Sequence, residues 1–187
     1  MVRVTIAVVL SAVVQMAWGF LFWGVLPFSQ TIVQELPDEG RVMAALQETV
    51  TESGHYFAPH PSRAKSSEGE KALLEEHRRG PLVEIVYQKD GVDPMGMKFL
   101  GVGFGQYLAS SLLMALLLVW ALPRLETYLS RVVFIVLVAV FAVVATHLGN
   151  PIWFHHPWTF SLVQSSYLVV GWTLAGLVMG AVIRPAR

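Results

Sequence analysis

The chain has 187 residues, 55% of them hydrophobic and only 14% charged, whereas soluble globular domains carry about 25% charged residues. Its formal net charge is zero, so no basic field points to a nucleic-acid partner. The absence of cysteine excludes disulfides, thiolate metal sites and cysteine nucleophiles.

The few charges are unevenly placed. Twelve of the thirteen Asp and Glu residues fall between Glu35 and Asp93, and only Glu126 lies outside. Four stretches, residues 4–28, 99–122, 132–148 and 159–183, contain no Asp, Glu, Lys or Arg. Crossing about 30 Å of hydrocarbon takes roughly 20 apolar residues, and isolated spans must satisfy their backbone amides as helices. The expected fold is an all-α membrane protein: four transmembrane helices with a small mixed α/β extracytoplasmic segment between helices 1 and 2. The chain then divides into transmembrane helix 1 (1–28), the extracytoplasmic segment (29–98) and transmembrane helices 2–4 (99–187).

The first span follows Arg3, as a signal peptide would. Its apolar run is too long for one, and Trp18, Phe20, Phe22 and Trp23 stand where small residues would mark cleavage. It reads as a membrane anchor. In the segment that follows, Val42, Met43, Leu46 and Val50 share one face of an amphipathic helix over 39–50. Ser53, Gly54, Pro59, Pro61 and Ser62 then mark a loop. Ser66 and Ser67 before Glu68 and Glu70 predict an N-cap and acidic first turn. That helix ends with His77, Arg78 and Arg79 at its negative pole and is stopped by Gly80-Pro81. Residues 82–87 form a β-branched strand closed by a turn at Lys89-Asp90-Gly91. A strand needs a partner, from this segment or from another protein. The segment is small and poor in apolar residues, and is expected to pack on the helix ends or on a partner subunit.

In the remaining spans, Gly101, Gly105 and Ala109 recur every four residues, and Gly176 and Gly180 form a Gly-x-x-x-Gly. Such small residues let helix backbones approach closely, within the chain or between subunits. Gln15, Gln106 and Gln164 lie inside spans, with Ser110, Ser111, Ser165 and Ser166, and amides in lipid are expected to face protein. Arg3, Arg124, Arg131, Arg184 and Arg187 share the side of the termini and the 123–131 loop with the single acid Glu126. Short loops rich in arginine stay in the cytoplasm, so both termini are expected there, with residues 29–98 outside. Trp23, Trp153, Phe154 and Trp158 fall near the outer boundary, and Trp120 and Tyr128 near the inner one, as amphipathic rings prefer.

Chemistry-bearing residues are sparse. His55, His60, His147, His155 and His156, with His77, all fall on the outer side or its boundary, where imidazoles from several loops could bind copper or zinc. Their spacings match no helix-face pair, and the alternative is interfacial histidines bonded to backbone or headgroups. Only His147 lies in a span, at its end, which disfavours a haem held between two histidines of this chain. No cofactor is predicted, a metal or haem being the lesser alternative. No ionisable residue stands at mid-membrane, which argues against transport by this chain alone. Neither Gly-x-Ser-x-Gly nor His-Glu-x-x-His occurs, so enzymatic activity is not expected.

Gly80-Pro81, the strand at 82–87, the turn ending at Gly91 and Asp93-Pro94-Met95 before the second span resemble a loose group of small four-span bacterial membrane proteins. The resemblance implies a bacterial inner (cytoplasmic) membrane and brings no activity or functional residues. The function expected is an accessory or scaffolding subunit of a larger membrane complex, of respiratory or photosynthetic kind, whose partners are other membrane subunits and the bilayer. A second expectation is an outward-facing metal- or cofactor-binding protein using the histidines. A third is quinone or lipid binding around Gln106, His147 and the outer aromatics.

Overall fold

A computed structural model describes residues 2–185; Arg187, counted above among the cytoplasmic basic residues, lies outside them. Helices α1 (Val2–Phe20), α5 (Met97–Ala121), α6 (Tyr128–Thr146) and α8 (Trp158–Val182) dominate. With their extensions they give four spans of 24 to 28 residues, long and apolar enough to cross a membrane, which fits a multi-pass membrane protein. The shorter elements are α2 (Phe28–Ile32), α3 (Glu39–Thr49), β1 (Gly54–Ala58), α4 (Ser67–Arg79), β2 (Val83–Tyr87) and α7 (Gly149–Trp153). The chain forms two compact units, residues 1–34 with 95–187, and residues 35–94.

The helical bundle has two unlike halves. Call its ends the terminal end, where the chain begins and finishes, and the insert end, where residues 35–94 are spliced in. Near the terminal end Ala7 and Val8 of α1 meet Met114, Ala115 and Leu118 of α5, Ile135 of α6 and Met179 of α8. Leu118, Ile135 and Met179 are wholly inaccessible. Lipid tails are as apolar as these side chains, so close packing rather than removal from water holds this core. The close approach is made by the Gly-x-x-x-Gly of α8. A methyl group added at Gly176 would lie 3.2 Å from Ile135 Cγ2, and one at Gly180 3.1 Å from Val132 Cγ2. Towards the insert end the contacts turn polar. Gln15 Nε2 donates to Ser111 Oγ at 3.0 Å, joining α1 to α5, and Ser11 Oγ donates to the Ala175 carbonyl at 3.4 Å, joining α1 to α8.

Helix α6 begins at Tyr128, capped by Thr127 Oγ1 accepting from Ser130 N at 3.1 Å. Arg131, placed by its charge in the connecting loop, is therefore in the first turn of a helix and is buried. Its Nε donates to the Gly180 carbonyl at 3.0 Å, and its Nη1 to the Leu125 and Glu126 carbonyls at 3.1 and 2.9 Å. Gly180 is in the last turn of α8, where carbonyls lack helical partners and a cation is favoured.

Residues 35–94 form α3 and then a two-stranded sheet whose strands β1 and β2 are joined through α4. Asp38 Oδ1 caps α3 through Arg41 N, and Ser66 Oγ caps α4 through Gly69 N, both at 3.1 Å. Gly80 ends α4 with φ of +66°, a left-handed value that suits glycine. The strand expected at 82–87 is β2, and its partner is internal: β1 pairs with it antiparallel, Gly54 opposite Tyr87 and Ala58 opposite Val83. Residues 54–58, expected as loop from their flanking prolines and serines, are strand instead. His55, Tyr56 and Phe57 supply aromatic strand formers between the breakers, and pairing with β2 satisfies both backbones. No residue of 35–94 is fully buried. The tie between Arg63 and Glu76, bidentate at 2.7 and 3.0 Å, is largely exposed and contributes little stability.

Candidate functional site

Helices α5 and α8 both lie along α1 and make little backbone contact with one another, which leaves a wedge between them. The wedge between them is bridged by two tyrosines whose hydroxyls are 2.7 Å apart, Tyr107 of α5 and Tyr167 of α8. Trp18 of α1 donates from Nε1 to the Tyr167 carbonyl at 2.9 Å, which ties the third helix to the same point. Gly19 allows this convergence, since a methyl group there would stand 3.1 and 3.2 Å from the two tyrosine oxygens. Gly171 does the same beneath Trp18, at 3.0 Å.

Beside the bridge is a cavity of about 180 Å³, lined chiefly by Gln15, Trp18, Gln106, Tyr107, Tyr167 and Trp172. Ser110 also faces it, its hydroxyl donating to the Tyr107 carbonyl at 3.2 Å. No charged side chain lines it. Gln106 is exposed on the flank of α5, so the cavity's mouth is lateral, toward the surroundings of the bundle. Tyr107 is ten residues beyond Met97, or about 15 Å along the helix at 1.5 Å per residue, well inside the apolar span Met97–Arg124. Above the cavity α1 relaxes into a π turn over Leu21–Val25, an irregularity frequent at functional sites. That turn presents buried Phe22 to the rings of Trp18, Trp23, Phe28 and Tyr167, with centroids 4.8 to 5.3 Å away. The result is an aromatic cap over a neutral, hydrogen-bonding chamber.

The residues singled out in sequence separate here into three sets. Gln15 and Gln106 come together at the cavity, while Gln164 is half-buried elsewhere on α8. Gly176 and Gly180 are consumed inside the bundle against α6. Gly101, Gly105 and Ala109 are exposed, and a methyl group at Gly101 or Gly105 would touch nothing within 4 Å. The histidines are held separately. His55 Nε2 is 2.6 Å from Glu84 Oε1 across the two-stranded sheet, and His60 Nδ1 is 2.7 Å from Ser62 Oγ. His147 Nδ1 is 2.8 Å from Thr146 Oγ1, and His156 stands near the Phe154 and Phe160 rings. His155 has a left-handed backbone, φ of 58°. Among the described residues, no three His, Asp or Glu side chains are grouped as a metal ion requires.

Tyr107, Tyr167 and Gly19 are not singled out by the sequence, and Trp18 only as evidence against cleavage. Their signal is depth: tyrosine favours the membrane interface, so two tyrosines deep in apolar spans are polar groups needing partners. No family model, characterised protein or solved structure gives a significant match to this chain or its fold.

Proposed function

We propose that the chain is an accessory or scaffolding subunit of a larger complex in the bacterial inner membrane, binding its partner through α5. The observation that supports this is the face formed by Gly101, Gly105 and Ala109. It is built for close helix contact yet looks away from its own bundle: among the described residues no heavy atom lies within 4 Å of a methyl group added at Gly101 or Gly105. The occupant that fits is a transmembrane helix of another subunit. Residues 35–94 point the same way, because a unit of about 60 residues without one fully buried side chain is marginal by itself.

The glycine face gives a clean test. Gly105→Leu removes the close approach but disturbs no contact of the chain itself. In gentle detergent the wild type is expected to run at the mass of a complex with other proteins. Gly105→Leu is expected to run as a single chain with unchanged helical content by circular dichroism. A wild type that is monodisperse as one chain, or as copies of itself only, would refute the scaffold reading.

The orientation proposed with it is termini in the cytoplasm and residues 35–94 outside. The chain lacks cysteine, so single-cysteine variants need no background removed. An impermeant maleimide added to intact cells is expected to label Gln47→Cys and to spare Arg184→Cys until the membrane is opened. Equal labelling of the two sites before permeabilisation would mean that the span count is wrong.

A further inference from the structure

We propose that the cavity between α1, α5 and α8 binds the uncharged ring head of a membrane-dissolved quinone or quinol. The cavity's size, position, polarity and mouth favour such a ring whether or not α5 carries a partner subunit. A cavity of about 150 Å³ is known to hold benzene, and this one, at about 180 Å³, has room for a ring bearing oxygens. It is enclosed by the apolar spans, well away from the end of α5 at Met97, and Gln106 at its edge is exposed on the helix flank, so its occupant arrives from the bilayer interior. Phospholipid headgroups reside at the surface and bear a phosphate charge that this lining has no cation to meet.

An acyl chain would also reach the mouth, but it would leave polar groups unmet. The Gln106 amide has two N–H donors and a carbonyl acceptor. The tyrosine pair has two hydroxyl protons and uses one between them. Leaving such groups bare in a medium of low dielectric costs about 1–3 kcal/mol each. A ring with carbonyl oxygens accepts from both the amide and the free phenol, and the reduced ring can donate in turn. Trp18 and Trp172, with the two tyrosine rings, offer aromatic faces and edges to a planar head. An uncharged, flat, oxygen-bearing ring with an apolar tail meets every one of these demands, and its tail leaves by the mouth it entered.

The test is tryptophan quenching in lipid nanodiscs holding the full chain, since Trp18 and Trp172 stand in the cavity wall. The probes are a decyl-substituted benzoquinone, a decyl-substituted naphthoquinone, and decylbenzene, which has ring and tail without oxygens. Saturable quenching by at least one quinone is expected, and the tighter of the two identifies the ring. Gln106→Leu is expected to raise its Kd about tenfold, the effect of one hydrogen bond left unmade in a low-dielectric site. Ser110→Phe, which puts a ring into the cavity, is expected to abolish saturation. Gln106 is exposed, so its variant leaves the fold intact. Three results would each overturn the proposal: no saturable quenching, displacement of the quinone by equimolar decylbenzene, or a Gln106→Leu protein that binds as the wild type does.

Discussion

Replacing Gly180 with valine is expected to prise α6 from the end of α8 and to cost roughly 2–3 kcal/mol of stability, the upper range for overpacking. The first methyl group alone would stand 3.1 Å from Val132 Cγ2 and 3.4 Å from Tyr128 Cε2, and valine adds two more carbons there. Neither neighbour can yield easily. Val132 is buried and β-branched, with essentially one rotamer in a helix, and the Tyr128 hydroxyl donates to the Leu177 carbonyl at 3.3 Å. Gly105→Val is the control, because glycine 105 touches nothing. Titration with a denaturing detergent, followed by circular dichroism, should show Gly180→Val unfolding early and Gly105→Val unchanged. Equal loss in both would mean that the contacts with Val132 and Tyr128 do not set the cost, since valine is a better helix former than glycine at either place.

Arg131→Met is expected to be still more damaging, by about 3 kcal/mol. The guanidinium supplies three hydrogen bonds to carbonyls of two separate segments, and hydrogen bonds to charged groups contribute about 1.5–3 kcal/mol each. Part of that sum offsets the cost of burying a cation that, among the described residues, forms no ion pair with a carboxylate, which is why the net loss is smaller than the total. Methionine fills the space but leaves the Gly180, Leu125 and Glu126 carbonyls without this donor. Arg131→Lys keeps the charge but not the planar fork, and should recover less than half of the loss. The same detergent titration orders the three proteins. Wild-type stability in Arg131→Met would show that the carbonyls find water instead.

Both residues expose the limit of reading this chain linearly. The number of spans was legible because lipid leaves the backbone no alternative: a charge-free run of sufficient length must be helical to satisfy its own amides. The observed spans start and stop within a few residues of those expected. The helices of residues 35–94 were legible for a similar local reason, since Asp38, Ser66 and Gly80 cap or stop them through bonds only three or four residues long. The strand at 54–58 was not, because its defining partner is about thirty residues away at β2.

The small-residue stripes could not be told apart in sequence at all. Gly101-x-x-x-Gly105 and Gly176-x-x-x-Gly180 have the same spacing, yet one is exposed and the other is pressed against Ile135 and Val132. Likewise Gln15 and Gln106 are equally polar, but one is tied to Ser111 inside the bundle and the other stands at the mouth of a cavity. Periodicity says that a face exists; only the crossing of three helices says what covers it. Length and charge thus determined which segments are long and apolar enough to span, since those are properties of a segment and its solvent. Which faces meet, where Arg131 is buried and where a chamber is left open are relations between distant segments, and only the tertiary structure decided them.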